Sequence, residues 1–222
     1  MPGEAALTLE YDLFWSFRSP YSYLVTPRLL ELERDYDVRC NVRPVYPIAV
    51  RIEGFFKRVN PMWPPYLMKD TYRIAEMLGL PYAWPSPDPI VMDLKTGEVP
   101  ADQPYISRLT RLGVAATEAG KGLAFLREIS GVVFGGVRNW HEGDHLKEAA
   151  ARAGCDLAEL DALIARDPDH YEAVITANEA AQKQAGHWGV PLMVFEGEPF
   201  FGQDRVDHLV WRMEKKGLKR RG

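Results

Sequence analysis

The stretch FRSPYSYL, residues Phe17 to Leu24, lies where a predicted strand meets a predicted helix. Before it, apolar residues occupy every odd position from 7 to 17, and most positions between them are polar. This period of two is typical of a β-strand. Pro20 suits the first turn of a helix, because proline has no N–H to lose there and its φ is already helical. We therefore predict that Ser19 is the N-cap residue of the first helix.

A second strand is predicted soon after that helix. The helical pattern continues past Pro27, where the missing backbone hydrogen bond should kink the helix. Val38, Cys40 and Val42 then alternate with polar residues, as in a strand with one buried face. The chain up to residue 48 is therefore predicted to form a βαβ unit.

Helical patterns and proline-rich loops fill the middle of the chain, where strand patterns are scarce. We expect this middle part, residues 49–168, to be helical. The helices predicted within it and directly after it are Tyr66–Gly79, Tyr105–Gly120, Leu123–Val137, His145–Ala153, Asp156–Ala165 and Asp169–Gly186.

Strand patterns return near the end of the chain. Pro191–Phe195 and Phe200-Phe201, with a turn over residues 196–199, predict a β-hairpin. A last helix follows, and one face of it is apolar and must cover the hairpin. The residues of that face are Val206, Leu209, Val210 and Met213. Together with the preceding helix, residues 169–222 are predicted to form an αββα unit.

Composition limits the class of protein. The chain has 222 residues, of which 46% are hydrophobic and 26% charged, so it can bury a substantial core. A net charge of −4 gives no reason to expect a nucleic-acid partner, and the basic run Lys215–Arg221 is interpreted as a solvated helix end. No apolar run of about eighteen residues and no signal-peptide pattern occurs, and the two cysteines match no disulfide framework. We expect a cytoplasmic protein that does not enter a membrane.

Residues His141 to His145 spell H-E-x-x-H, the motif of zinc proteases. That chemistry requires both histidines on one face of a single helix. Gly143 and Asp144 interrupt such a helix, because glycine is a poor helix former and aspartate favours the N-cap. We predict a loop that ends at Asp144 and a helix that starts at His145, and we expect no metal.

Three short motifs in this order resemble those of the 2-hydroxychromene-2-carboxylate isomerases and the related kappa-class glutathione transferases. They are Ser19–Leu24, Trp188–Pro191 and Phe201–Arg205. The resemblance implies an α/β fold, with a thioredoxin-like domain and an all-helical domain inserted between its βαβ half (1–48) and its αββα half (169–222). It also implies a glutathione cofactor, an aromatic acid substrate and a homodimer.

Ser19-Pro20-Tyr21-Ser22 stands where thioredoxin-like proteins carry C-x-x-C. A helix N-terminus favours a thiolate whoever supplies the sulfur, because its free N–H groups and dipole attract negative charge. Without a thiol, Ser19 cannot form a mixed disulfide, but its hydroxyl can donate a hydrogen bond to the thiolate of glutathione. A plain N-cap role for Ser19 and an activated serine nucleophile remain as alternatives.

The resemblance assigns the remaining cofactor contacts to the other two motifs. The Val190–Pro191 bond would be cis, so that the Val190 backbone pairs with the cysteinyl part of glutathione. The segment Gly202–Arg205 would open the last helix, where Gln203 and Asp204 receive the γ-glutamyl group. Asp204 could equally be a plain N-cap, and Arg205 is expected to support the neighbouring chain or form a salt bridge rather than touch the ligand.

Substrate contacts are predicted in the first part of the helical insertion. In the resembling family an Asn and a basic residue from this region reach the active site, and the candidates here are Asn60, Lys57, Arg58 and Lys69. A solvated surface role remains open for each of them.

The leading hypothesis is a glutathione-dependent isomerase of an aromatic carboxylate, with Ser19 as the catalytic residue. Expulsion of the sulfur would regenerate glutathione. The alternatives are a kappa-class-like glutathione transferase, a glutathione-binding module without turnover, and a zinc hydrolase.

Overall fold

Strands from the two ends of the chain form one mixed sheet in this computed structural model, which describes residues 8–93 and 95–221. The strand order is β2-β1-β3-β4. Central strand β1 pairs parallel with β2 and antiparallel with β3, and β3 pairs antiparallel with β4. The strands are β1 (Leu9–Trp15), β2 (Val38–Pro44), β3 (Leu192–Phe195) and β4 (Glu198–Phe201).

The first strand is shorter than its alternation predicts. It ends at Trp15, because the chain then turns and the Ser19 N–H donates to the carbonyl of Ser16 at 3.1 Å. Phe17 is buried beyond the end of the strand, which explains why it fits the apolar pattern. The predicted start at Leu7 lies outside the described residues.

Ten α-helices occur in the described ranges, and the six predicted for the middle of the chain are all among them. Their observed ends differ from the predicted ends by a few residues. The helices are α1 (Pro20–Asp35), α2 (Ile48–Arg51), α3 (Phe55–Arg58), α4 (Trp63–Leu78), α5 (Pro104–Glu118), α6 (Gly122–Phe134), α7 (His145–Arg152), α8 (Leu157–Arg166), α9 (Pro168–Gln184) and α10 (Val206–Glu214).

Two of these helices, α2 and α3, were not predicted. Each has four residues, which is too short to show a helical period in the sequence. The first helix, α1, continues across Pro27 to Asp35. The helices α2 to α8 follow β2 and precede α9, which is the place predicted for the insertion, while the domain boundaries at residues 48 and 168 remain predictions.

Both faces of the sheet are covered. Leu13 and Trp15 of β1 belong to the main hydrophobic core, which also contains buried residues of α1, α5 and α6. Phe14 points to the other face, where it packs with Leu192 in a second cluster that includes Ala181 of α9. A central strand buried on both faces needs a continuous apolar run rather than strict alternation, as Leu13-Phe14-Trp15 shows.

The predicted hairpin is present, but its turn is shorter than expected. Glu196 and Gly197 have positive φ angles of 49° and 82°, as a two-residue hairpin turn requires. Glu198 and Pro199 therefore belong to β4 and not to the turn. Within the described ranges, no helix is both long enough and apolar enough to cross a membrane.

Candidate active site

Ser19 caps the first helix, as predicted. Its backbone is extended (φ −94°, ψ 113°), and its Oγ accepts a hydrogen bond from the Ser22 N–H at 3.2 Å. The buried Trp15 indole donates to the Ser22 carbonyl at 3.0 Å and so holds the first turn of α1 against the end of β1. The N–H of Tyr21 has no acceptor among the described residues, and it remains available at the positive end of the helix.

The Ser19 hydroxyl also reaches the second motif. It donates a hydrogen bond to the Val190 carbonyl at 3.3 Å, although 171 residues separate the two. The Val190–Pro191 peptide bond is cis, as the resemblance implied. The Pro191 carbonyl in turn accepts from the Gly202 N–H at 3.0 Å, which places the start of the third motif beside the second.

Gln203 to Arg205 do not begin the last helix directly, as had been predicted. They form a 3-10 turn, and α10 follows from Val206 with Arg205 at its N-cap position, so Asp204 does not cap α10. The Asp204 carboxylate is exposed and pairs with Arg205 Nη1 at 2.6 Å. Arg28 of α1 donates to the Gln203 carbonyl at 3.3 Å and thereby connects this turn to the first helix.

A cavity of about 520 Å³ opens in front of Ser19 and Val190. Its wall is largely apolar and carries several aromatic rings, which suits an aromatic ligand held by a small number of polar groups. The apolar and aromatic side chains of the wall include Phe55, Trp63, Leu67, Trp84, Trp188 and Phe201. The polar ones include Ser16, Arg18, Ser19, Tyr21, Arg51 and Asn60.

An aromatic stack stands at the rim of this cavity. The His187 ring stacks with the rings of Trp188 and Phe201, at centroid distances of 5.5 and 3.9 Å. Its Nδ1 accepts a hydrogen bond from the Gly189 N–H at 2.9 Å, which requires the neutral ring with its proton on Nε2. Burial lowers the pKa of His187. Trp188 is 59% exposed and offers an aromatic face to an incoming ligand.

The loop before Pro191 is held from behind by a buried amide. Gln182 of α9 is fully buried, and its Nε2 donates to the Gly189 carbonyl at 2.8 Å. Its Oε1 accepts from Arg51 Nη1 at 2.8 Å, and Arg51 Nη2 donates to the Trp188 carbonyl at 3.0 Å. The N–H of Val190 has no acceptor among the described residues, so it remains available on a loop with a fixed position.

Arg18 lines the cavity beside Ser19, but its charge is already paired. Its guanidinium contacts both oxygens of Asp88, at 2.8 and 2.9 Å, and its side chain is 15% exposed. The guanidinium carbon also lies 5.3 Å from the ring centre of Phe56 and 5.7 Å from that of Trp84. Such a two-point contact fixes the guanidinium in one orientation.

Tyr21 connects the cavity to the helical part of the chain. Its hydroxyl donates to Asp70 of α4 at 2.8 Å. Burial, with the added effect of the Asp70 carboxylate, raises the pKa of Tyr21, so the phenol stays protonated and keeps donating.

The four residues predicted to contact substrate do not all line the same cavity. Asn60 lines the cavity of Ser19. Lys57 and Arg58 instead line a neighbouring cavity of about 1310 Å³, where Lys57 pairs with Glu98 at 3.2 Å and Arg58 donates to the carbonyl of Glu53. These two side chains are on the solvated face of α3.

Lys69 is exposed on α4 and lines neither of these two cavities. The cations that line the cavity of Ser19 are Arg18 and Arg51, which sequence analysis missed. Arg18 could have been suspected, because it directly precedes Ser19. Arg51 ends a short helix that has no sequence signal of its own.

The H-E-x-x-H motif does not form a single helix. The helix α7 begins at His145, with Asp144 at its N-cap position, and His141 lies in the preceding loop. Within residues 8–93 and 95–221, no three His, Cys, Asp or Glu side chains come together in a way that could hold a metal ion.

Comparison with known proteins gives one family match that covers most of the chain. Residues 11–214 match the model of the DSBA-like thioredoxin domain. The chain is also 26% identical over 213 residues to the 2-hydroxychromene-2-carboxylate isomerase of Pseudomonas putida, a match that covers 88% of this chain and 89% of the relative.

Solved structures show the same fold. A structure of 2-hydroxychromene-2-carboxylate isomerase superposes with a TM-score of 0.66 at 20% identity, covering 93% of this chain and 95% of the other. A probable DsbA oxidoreductase from Streptomyces coelicolor gives 0.65 at 18% identity, covering 93% and 89%. The cytosolic disulfide reductase DsbM from Pseudomonas aeruginosa with GSH gives 0.57 at 17% identity, covering 94% and 98%.

Proposed function

The chain belongs to the DsbA-like thioredoxin domain family, and from this premise we propose that it is a glutathione-dependent isomerase of an aromatic carboxylate of the 2-hydroxychromene-2-carboxylate type. The relative from Pseudomonas putida supports the reaction class. The observation that carries the proposal is the hydrogen bond between the Ser19 hydroxyl and the Val190 carbonyl at the wall of an aromatic cavity.

The residues of the cavity suit glutathione. Val190 has a free N–H among the described residues and a carbonyl that faces Ser19, so its backbone can pair with the peptide part of the ligand as an added strand would. The N–H of Tyr21 and the hydroxyl of Ser19 converge at the start of α1, where negative charge is favoured. A sulfur next to Ser19 would therefore lie at the positive end of the α1 dipole.

Bound glutathione would supply a sulfur nucleophile, whose reversible addition to a conjugated double bond leaves a single bond that can rotate. Ser19 would stabilise this sulfur by giving up its hydrogen bond to the Val190 carbonyl and donating to the thiolate instead. Its only hydroxyl proton now points to the Val190 carbonyl. If a bound ligand N–H donated to the Val190 carbonyl in its place, the Ser19 hydroxyl could rotate and donate to the thiolate.

The other wall residues would hold the substrate and exclude water. The rings of Trp63, Trp84 and Phe55 line the cavity and would contact an aromatic substrate, and Asn60 could donate to a substrate oxygen. Neither serine of the S-x-x-S motif contributes sulfur, so this chain does not form a disulfide at this site. Among the described residues, Ser19 Oγ has no histidine or carboxylate partner, which is why we favour a stabilising role over an activated serine.

The third motif, Phe201–Arg205, lies next to the loop of Val190 and Pro191. We propose that the γ-glutamyl end of glutathione extends toward Gly202–Arg205, because Gly202 is hydrogen-bonded to Pro191. Asp204 would then leave Arg205 and receive the ligand ammonium.

We further propose a homodimer that works in the cytoplasm, where Cys40 and Cys155, both free thiols here, stay reduced.

The decisive experiment compares the two serines of the motif. Ser19→Ala should raise the pKa of the bound glutathione thiol, followed by thiolate absorbance, and lower turnover of 2-hydroxychromene-2-carboxylate about 100-fold, as loss of one donor to a developing anion does. Ser22→Ala is the matched control, because the Ser22 Oγ is buried without a partner among the described residues. It should change turnover less than about threefold.

Other results would contradict the proposal in defined ways. Unchanged turnover in Ser19→Ala would exclude the role of its hydroxyl. Consumption of one glutathione for each substrate would indicate a transferase, and glutathione binding without any turnover would indicate a binding module.

A further inference from the structure

Arg51 is a cation at the wall of the Ser19 cavity with no acidic partner of its own. It ends α2, and both its hydrogen-bond acceptors are neutral: the Gln182 amide oxygen and the Trp188 carbonyl. Within the described part of the chain, no carboxylate lies close enough to Arg51 to form an ion pair. Its Nε is buried and has no acceptor there either.

The charges around the cavity make Arg51 different from its neighbours. Arg18 is neutralised by Asp88 through a two-point contact. Lys57 is paired with Glu98 and lines only the neighbouring cavity, whereas Arg51 stands between the two cavities and lines both. Arg51 therefore provides the excess positive charge at the wall of the Ser19 cavity.

Burial makes this charge costly without an anion. The pKa of Arg51 is lowered by burial, and the carboxylate of Glu179 works against that effect from a distance. Glu179 itself accepts the Tyr46 N–H at 3.1 Å, and burial raises its own pKa. A guanidinium stays ionised under all ordinary conditions, so a partly buried one gains from an added anion.

We infer that Arg51 binds the carboxylate of a small molecule in the Ser19 cavity. Two molecules can supply that chemistry: the aromatic acid itself, or the glycyl end of glutathione. The second source rests on the proposed function, whereas the first requires only the cavity. Two guanidinium nitrogens already donate to Gln182 and Trp188, so the orientation of the Arg51 side chain is fixed before the carboxylate binds.

Paired ligands test the first source. Three tryptophans, Trp63, Trp84 and Trp188, line the cavity, so their fluorescence reports binding. We expect the wild-type protein to bind 1-naphthoate at least about tenfold more tightly than the neutral 1-naphthamide, as one charged hydrogen bond allows. In Arg51→Gln the preference should fall below about threefold. Lys57→Gln is the matched control and should keep the wild-type preference.

A second pair of ligands tests the other source. Glutathione and its glycyl ethyl ester differ only in that carboxylate. If Arg51 binds the glycyl end, Arg51→Gln removes the preference for glutathione over the ester and leaves the naphthoate preference unchanged. Loss of either preference supports the inference and identifies the source.

The ratio of the dissociation constants of the acidic and the neutral ligand distinguishes direct binding by Arg51 from a purely structural role. A displaced loop at Trp188 would weaken both ligands of a pair, but it would not remove the preference between them. The inference would be overturned by equal preferences in wild type and Arg51→Gln for both ligand pairs, by no preference in the wild type for either pair, or by loss of preference in Lys57→Gln instead.

If Arg51→Gln does not fold, Arg51→Lys replaces it. Lysine keeps the charge but cannot hold both Gln182 and Trp188, so its ammonium is no longer fixed at the cavity wall. One of the two preferences should therefore fall at least about threefold, and unchanged preferences would overturn the inference. The readout is binding, so it is independent of turnover. An absence of isomerase activity would count against the proposed function alone.

Discussion

The guanidinium of Arg18 and the carboxylate of Asp88 form a two-point contact at 2.8 and 2.9 Å, 70 residues apart in sequence. The contact ties the loop before Ser19 to the loop between α4 and α5. Asp88 Oδ1, which accepts from Arg18 Nε, also accepts the Ile90 N–H at 3.0 Å, and this further fixes the carboxylate. The helical part of the chain therefore determines where one wall of the Ser19 cavity stands.

Removing the charge of Asp88 should destabilise the protein. Asp88→Asn leaves the mostly buried Arg18 without a full counter-charge, and we expect a loss of about 1–3 kcal/mol in the free energy of unfolding, measured by urea denaturation. Asp35→Asn, which disrupts the exposed Arg34–Asp35 pair, should cost less than about 0.5 kcal/mol. Equal losses of unfolding free energy in the two variants would show that the Arg18–Asp88 pair stabilises the protein no more than an exposed ion pair does.

Replacing the buried amide behind the Val190 loop should affect both stability and cofactor binding. Gln182→Leu leaves the Gly189 carbonyl and one N–H of Arg51 without partners, which should lower the free energy of unfolding by about 1–3 kcal/mol. Binding of glutathione should weaken as well, because Val190 follows Gly189. Gln184→Leu, on the exposed side of the same helix, is the control for urea denaturation and glutathione titration, and both measurements should stay near wild type.

Two helical glycines should respond in opposite directions to alanine. At Gly113 of α5 an added Cβ would lie 2.8 Å from the buried Phe17 ring, so Gly113→Ala should lower stability by about 1–3 kcal/mol despite alanine's better helix propensity. At Gly131 of α6 the nearest atom belongs to the flexible end of Arg127, at 3.1 Å. Gly131→Ala should therefore raise stability by up to about 1 kcal/mol. Thermal or urea unfolding would show the opposite signs, and a gain in both variants would contradict the close packing at Phe17.

The rim histidine should make stability depend on pH. Burial holds the pKa of His187 below its ordinary 6.5, so the unfolded chain takes up this proton first. The free energy of unfolding should then fall as pH decreases from 6.5 to the lower pKa of the folded state, where the loss is complete. Urea unfolding at about pH 8 and about pH 5 measures this decline.

The free energy of unfolding should fall less with decreasing pH in His187→Gln than in the wild type, because glutamine does not take up a proton in this range. The exposed His208 is the matched position, and His208→Gln should decline as the wild type does. If His187→Gln and the wild type lost the same stability over this range, the histidine would not be the responsible group.

The junctions between strands and helices could be predicted because their signals are local. Ser19 and Pro20 mark a helix start by their own chemistry, and strand β1 is visible from its alternation up to the point where it is buried on both faces. The meeting of Ser19 and Val190 follows once the two ends of the chain share a sheet, which the order of the motifs suggested.

The cations of the cavity could not be predicted in the same way. Arg51 and Lys57 stand in similar sequence surroundings, each at or near the end of a four-residue helix. What distinguishes them is that Arg51 lines both cavities and reaches that of Ser19, whereas Lys57 lines only the neighbouring one, and this depends on the packing of α2 against α9 and the Trp188 loop. The exposed carboxylate of Asp204 likewise looked like a helix cap until the 3-10 turn before α10 was seen.

Serines at both positions of the motif have a consequence for cells under oxidative stress. Ser19 and Ser22 cannot be converted to a disulfide or a sulfenic acid, so this end of α1 has no oxidised form to repair. At this site, peroxide that depletes reduced glutathione would stop an enzyme of the proposed kind by removing its cofactor and not by oxidising the motif. Activity would then return with the thiol pool, without a reductase that acts on the protein itself.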